Sequence, residues 1–310
     1  MQEENNTIIV SIRCITYNHA PYIRQCLDGF VMQKTNFRFE AIVHDDASTD
    51  GTDAIVREYA AKYPDIIKPI FETENQWSKH DGSLHRIMTN ACKGKYIAMC
   101  EGDDYWIDPN KLQKQVDFLE SHPDYTLIGS NGIIMYTDVT KGLVYFNNHH
   151  ELREVSIAEL VNTWAFPTAT LCFRREIFDH YPTWSKELHF GDDVMVMTCA
   201  LLGKVATLGE VSSVYRKGSG ITKDLDKQQE YMAEQHKLFY THLLEDTGDK
   251  YKDVLSARIE RDERNRRYWH ARSKSKMLAA VMFPKRTCKL IVLGMANGIK
   301  SVVKKCLRIA

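Results

Sequence analysis

No apolar run in this chain approaches the ~18–20 residues that a membrane-spanning helix requires, so a helical span is excluded. The eight cysteines include no C-x-x-C pair. Several lie inside apolar runs, as reduced core residues of a cytosolic protein do. Internal repeats and low-complexity segments are lacking as well. Residues 1–6 are acidic and polar and do not read as a signal peptide. Net charge is missing too, since 41 Lys and Arg balance 41 Asp and Glu. The balance hides an asymmetry: residues 264–310 hold thirteen basic residues and no Asp or Glu. An acidic body therefore precedes a basic tail, and such a tail calls for an anionic surface as partner. What is present suits a soluble globular protein of one large domain, or one domain with an appendage: 310 residues, 44% hydrophobic and 26% charged.

Apolar strands alternate with helices through the first hundred residues. Residues 7–15 read as a buried strand that stops at Thr16-Tyr17-Asn18-His19, with a helix from Ala20-Pro21-Tyr22 to about residue 31. Residues 39–44 form a second strand and end in Asp45-Asp46-Ala47-Ser48-Thr49-Asp50-Gly51-Thr52; Thr49 or Asp50 caps the helix that follows. A third strand spans 66–71, a helix 83–92 and a fourth strand 95–100. This alternation implies βαβ units and a parallel sheet. Beyond Trp106 the spacing predicts a helix to Ser121, strands at 125–136, 141–146 and 167–174, short helices at 156–163 and 176–180, and an apolar helix from Asp192 to Leu202. Two short strands are expected within 204–216, then long polar helices over 224–245 and 251–276. From Cys288 a helical stripe of apolar residues runs beside Lys289, Lys300 and Lys304.

Two expected strands end in acids: Asp45-Asp46, and Glu101-Gly102-Asp103-Asp104 after an apolar run. Clustered carboxylates at a buried strand end are costly unless a cation sits there. In a parallel sheet the strand ends share one rim, where ligands of open α/β sheets bind, so both clusters line one crevice. A nucleotide suits that crevice. Tyr17 can lie against a base, Asn18 and Asp46 can bond its edge, and a divalent ion on Glu101, Asp103 and Asp104 can hold a diphosphate. Neither G-x-x-x-x-G-K-[ST] nor G-x-G-x-x-G occurs, which leaves phosphate neutralisation chiefly to metal. Asp46 and Asp50 lie four apart, so Asp50-Gly51-Thr52 does not carry the paired acids of a haloacid-dehalogenase phosphatase. A third acidic pair, Asp192-Asp193, opens a helix, where acids also favour the helix dipole.

The ordered set Thr16-Tyr17-Asn18, Asp45-Asp46-x-Ser48-x-Asp50-Gly51-Thr52, Gly94-Lys95-Tyr96-Ile97 leading into Glu101-Gly102-Asp103-Asp104, and Asp192-Asp193 resembles the family 2 inverting glycosyltransferases over roughly residues 7–220. The resemblance implies an A-type glycosyltransferase αβα sandwich with a mostly parallel central sheet, here over residues 1–222, plus a C-terminal helical extension over 223–310. It implies that Tyr17 and Asp46 contact the nucleobase with Asp45 supporting, and that Thr16 and Asn18 belong to the same nucleotide site. Asp103 and Asp104 would bind ribose and Mn2+ or Mg2+, with Glu101 as first member of the acid-x-acid motif. Asp193, or its neighbour Asp192, would be the general base. Two features depart from the family pattern. Glu101 stands where Asp is commoner, and no His follows Tyr215-Arg216-Lys217, leaving Arg216 or Lys217 to touch the diphosphate.

Together these readings describe a metal-dependent, inverting transferase that takes a UDP-linked sugar to a lipid-linked or growing cell-surface glycan. The alternatives are a sugar-phosphate nucleotidyltransferase, which wants a Gly-rich basic loop after the first strand, and a non-catalytic membrane-associated assembly protein. The basic tail points to the cytoplasmic face of a membrane, where each Lys or Arg near anionic lipid contributes about 1 kcal/mol. Packing of the tail on the protein is the other reading, and nucleic acid is not expected as a partner. The resemblance sets Trp77, His80 and His85 where the family keeps a mobile loop near the sugar, for donor contact or for ordinary packing, and Trp164, Phe166 and Trp184 are candidates either for an acceptor platform or for the core.

Overall fold

The computed structural model describes residues 7–137, 139–218 and 228–284. The chain divides into two compact units, Met1–Asp224 and Leu225–Ala310. The expected tail helix beyond Cys288 lies outside the described residues.

The first unit is built on ten strands: β1 (Ile8–Thr16), β2 (Arg38–Asp45), β3 (Ile67–Phe71), β4 (Tyr96–Met99), β5 (Tyr105–Trp106), β6 (Tyr125–Tyr136), β7 (Leu143–Tyr145), β8 (Arg153–Glu154), β9 (Cys172–Arg174) and β10 (Lys204–Lys217). Its helices are α1 (Ile23–Val31), α2 (Thr52–Lys62), α3 (Ser83–Ala91), α4 (Lys111–Ser121), α5 (Ile157–Asn162) and α6 (Asp192–Leu202). The strands order as β3-β2-β1-β4-β9-β6-β10-β5, with β7 paired to β6 and β8 to β10. Neighbours from β3 to β4 run parallel, as do β6 and β10, while β9 lies antiparallel between β4 and β6. This is the sheet that the βαβ alternation implies, with one reversed strand joining its halves.

Side chains of successive strand residues alternate between faces, and the sequence uses both. Val10, Ile12 and Cys14 of β1 join Ile23, Leu27 and Phe30 of α1, Val56 of α2 and Leu112 and Leu119 of α4 in one buried cluster. Ser11 and Arg13 point the other way; Ser11 Oγ donates to Glu40 Oε1 at 2.7 Å and accepts from the amide of Gly94 at 2.8 Å. A Cβ on Gly94 would fall 2.4 Å from the Ser11 amide nitrogen, so only glycine lets this turn approach β1.

Three expectations are corrected. Residues 204–217 form one strand, not two, because irregular pairing with β6 at Thr207–Val211 and Val211–Ser213 lets it bend without breaking. The expected strand over 167–174 is a single helical turn at Thr168–Thr170 followed by short β9, and Thr170 Oγ1 bonds back to Pro167 O at 2.7 Å. The cap of α2 is shared: Gly51 takes φ +92°, and Asp50 Oδ1 accepts from the amide and hydroxyl of Thr52 at 3.0 and 2.6 Å.

The second unit holds α7 (Gln229–Thr247), α8 (Lys252–Lys274) and α9 (Lys276–Met282). His270 meets Glu230 at 2.9 Å, Lys237 meets Glu263 at 3.0 Å, and Arg258 lies over the Tyr240 ring at 4.6 Å. The descending partner numbers make α7 and α8 an antiparallel pair. No described helix is long and apolar enough to cross a membrane.

Candidate active site

Strand register brings the acidic loops to one edge. Thr16 pairs with Asp45 and Arg13 with Met99, so the loops after β1, β2 and β4 leave the sheet together. Backbone bonds lace them: the Asp46 amide donates to Thr16 O and the Gly102 amide to Ile15 O, both at 2.9 Å. A Cβ on Gly102 would sit 2.6 Å from Thr16 Oγ1 and 3.0 Å from His19 Nδ1, so the acid loop lies against the β1 loop only because Gly102 has no side chain.

On the β1–β2 side, Tyr17 is 45% exposed and presents its ring at the rim. Asn18, expected at a nucleobase edge, braces the two loops. It takes φ +54°, its amide donates to Ser48 Oγ at 2.9 Å, and its Oδ1 accepts from the Thr49 amide at 2.8 Å. Asp45 is buried; its Oδ2 accepts from the Ser48 amide at 3.2 Å, its Oδ1 has no partner, and desolvation raises its pKa. Asp46 is also buried and holds the loop after β3. Its Oδ1 accepts from the Gln76 amide at 2.6 Å and its Oδ2 from the Trp77 amide at 3.0 Å. Trp77 and His80 of that loop touch His189 just before α6, with ring centroids 5.7 and 4.3 Å away. His85 stacks on Tyr181 at 4.1 Å and is pushed down to about 3 by burial.

The acid loop is clamped from below by Arg216. The amide of Arg216 donates to Asp104 Oδ1 at 2.7 Å, its Nη1 donates to Asp103 O and its Nη2 to Gln25 Oε1. Its guanidinium also lies 4.5 Å over Tyr105 and 5.0 Å over Tyr22. Arg216 thus shapes the loop whose diphosphate it was expected to touch. Lys217 is exposed and lies 5.8 Å over the Tyr136 ring, beside β6. Asp104 is buried, and desolvation with the Asp103 charge holds its carboxyl well above the usual range. Glu101 is half-buried, 4.0 Å from Arg13; desolvation pushes it up to about 7, Arg13 opposes, and Asp103 and Asp192 add. The Asp192 charge therefore reaches the acid loop from α6. Its Oδ2 accepts from Thr168 Oγ1 at 2.8 Å and its Oδ1 from the Asp193 amide at 3.0 Å. Asp193 follows it in the first turn of α6.

Sequence reasoning did not assign roles to Arg13, His19 or Gln25. His19 Nε2 lies 4.0 Å from Asp103 Oδ2, and burial lowers its pKa against the pull of that carboxylate. The signal for Arg13 lies in the sequence, as a charge inside an apolar strand. Among the described residues, Arg13 Nε, Thr16 Oγ1, His19 Nδ1 and Asp45 Oδ1, buried polar atoms around this edge, have no partner. Buried polar groups are ordinarily bonded, and a polar ligand in this crevice would satisfy them.

Among the described residues, no three His, Cys, Asp or Glu side chains converge as a ligand set for a metal ion. The donor chemistry nevertheless fits a hard divalent cation. Such ions commonly bind through one or two carboxylates plus phosphate oxygens of a substrate. Burial, and after it the neighbouring acids, raises Glu101 and Asp104, and a bound cation would offset that cost.

Comparison with known proteins bears on the family and the fold. The family described as "Glycosyl transferase family 2" matches residues 11–189. The uncharacterized protein Rv1520 of Mycobacterium tuberculosis (strain ATCC 25618 / H37Rv) is 37% identical over 212 residues, 67% of this chain and 58% of that protein. The chain thus spans less than two thirds of that relative's length. Among solved structures, S. aureus TarS 1-349 in complex with UDP aligns with a TM-score of 0.59 at 17% identity, over 81% of this chain and 70% of that one. Mannosyltransferase PcManGT from Pyrobaculum calidifontis, in complex with GDP-Man and Mn2+, aligns with a TM-score of 0.57 at 18% identity, over 92% of this chain and 81% of that one. At these identities the two structures bear on the fold alone.

Proposed function

The chain belongs to glycosyl transferase family 2, and from that membership we propose that it moves a sugar from a nucleoside-diphosphate donor, UDP-linked, to a hydroxyl of a lipid-linked or growing cell-surface glycan, with inversion. One observation carries the reading: the acids at 45–46 and at 101–104 are held at one sheet edge by Asp46 N to Thr16 O and by Gly102 N to Ile15 O, and Asp192 at the start of α6 is near enough for its charge to act on Glu101. TarS binds UDP and PcManGT binds GDP-Man with Mn2+, which supports a nucleotide-sugar donor and a divalent ion here.

The chain's own residues divide the work. Tyr17 covers the base, and Asp45 and Asp46, with Thr16 and Asn18, shape its pocket. Asp103, Asp104 and Glu101 would hold Mn2+ or Mg2+, and that ion would neutralise the diphosphate as it departs. Arg216 keeps Asp103 and Asp104 in place. Asp193 in the first turn of α6, or its neighbour Asp192, is the base that takes the acceptor proton. A well-placed base is worth roughly 10²–10⁴-fold. A single displacement needs no protein nucleophile.

Residues 1–222 carry this site in our reading, and 223–310 form an extension that meets the cytoplasmic face of an anionic membrane. Support comes from the basic tail and from Met277, Leu278, Val281 and Met282, exposed apolar residues of α9. Removing 285–310 is expected to abolish co-sedimentation with anionic liposomes, and unchanged sedimentation would refute the anchor. The transferase reading is tested by thermal shift with UDP and with GDP, each with and without Mn2+. One nucleotide raising the melting temperature only with metal supports it; no shift with either refutes it. Metal-dependent release of nucleoside diphosphate, rather than pyrophosphate exchange, separates it from a nucleotidyltransferase.

A further inference from the structure

We propose that Trp164 is the platform on which the acceptor saccharide lies, a carbohydrate subsite whose purpose rests on the transferase reading above. The indole is 43% exposed, yet its orientation is fixed. It meets Phe146 at a centroid distance of 4.8 Å and an interplanar angle of 90°, and Tyr215 at 5.2 Å and 70°. A large apolar ring held in one pose while open to solvent has already lost its rotamer freedom, so a ligand that covers it incurs little further ordering cost. The apolar face of a sugar ring suits such a surface, since an aromatic body offers area and its polar edge tolerates hydroxyls.

Two short connections tie the platform to the acidic edge. Trp164 is followed at four residues by Thr168, whose hydroxyl donates to Asp192 at 2.8 Å. Its ring partner Tyr215 is next to Arg216, whose amide donates to Asp104 at 2.7 Å. The segment that carries the indole thus leads to a residue bonded to Asp192, and the strand that carries its ring partner leads to a residue bonded to Asp104. Phe166 serves a different end: it is 4% exposed and fills the space above Gly129, where a Cβ would come within 2.4 Å of its ring.

The test uses the full chain, Trp164→Ala and Trp164→Leu on a printed array of neutral and acidic oligosaccharides, with UDP and Mn2+ present. Wild type is expected to bind at least one glycan, and both variants to bind it at least about tenfold more weakly. The leucine variant keeps apolar volume against Phe146 and Tyr215, so it decides the matter if the alanine variant unfolds. Wild type that binds no saccharide, or a folded variant that binds equally well, overturns the platform. The UDP-dependent thermal shift is measured on the same samples and should be unchanged in both variants. Its absence from wild type would strike the transferase reading, while the array result still judges Trp164 as a saccharide site.

Discussion

Lys111 is a cation sealed in the core, and replacing it by methionine should change how stability depends on pH. Its side chain is 1% exposed, Nζ donates to Gln115 Oε1 at 2.6 Å and lies 4.3 Å over the Trp106 ring. Burial lowers its pKa from 10.5 to about 8. The unfolded chain keeps this proton up to the ordinary value, so between pH 8 and 10.5 it binds one more proton than the folded chain. Stability from this group therefore rises with pH across that window, and the burial cost is fully present below its lower end. At 1.36 kcal/mol per unit the rise amounts to about 3 kcal/mol. The methionine variant lacks the titration but keeps most of the volume, and every other group cancels in the difference. Urea unfolding of both proteins at intervals from pH 7 to 10 should show the wild type gaining on the variant at about 1.4 kcal/mol per pH unit above the Lys111 transition. Loss of the Gln115 bond, about 1 kcal/mol, shifts the whole difference but not its slope. A difference that stays flat over this range would refute a buried, charged Lys111.

Asp193→Asn should keep the metal-dependent nucleotide shift and lose roughly 10²–10⁴-fold in transfer rate, whereas Asp192→Asn should lose less; equal losses would move the base away from Asp193. Gly102→Ala should cost about 1–3 kcal/mol of stability and weaken nucleotide binding, because the new methyl meets Thr16 and His19; calorimetric melting with and without UDP checks both effects. Glu101 is raised from 4.5 to about 7, so the folded chain holds more protons than the unfolded one between these values and this group's contribution to stability falls as pH rises through them. Metal that needs the carboxylate should bind more tightly, with proton release, as pH rises through 7, and Glu101→Gln should remove that pH dependence in a calorimetric titration.

The parallel half of the sheet was legible because its signals are local. Each apolar strand stops in its own polar cluster, so β1, β2 and β4 and the acids after them can be read within a dozen residues. The later elements were harder. The irregular pairing that keeps β10 continuous, where two short strands were expected, depends on β6, about 80 residues away. Arg216 has partners at Asp103, Asp104 and Gln25, 113, 112 and 191 residues distant, so its clamping role had no local signature. Asn18 and Asp46 read as ligand contacts because their chemistry suits a base edge. Their bracing bonds, from the Thr49 amide to Asn18 and from the Gln76 and Trp77 amides to Asp46, join residues about 30 apart and had no local signature.

The most direct test is an electron paramagnetic resonance titration of Mn2+ into the protein with UDP present, for wild type and Asp103→Asn. The account expects one tightly held Mn2+ per wild-type chain, dependent on UDP, and its loss in the variant. Mn2+ bound equally well by Asp103→Asn, or bound without regard to UDP, would contradict a nucleotide and a metal sharing the acidic edge of this sheet.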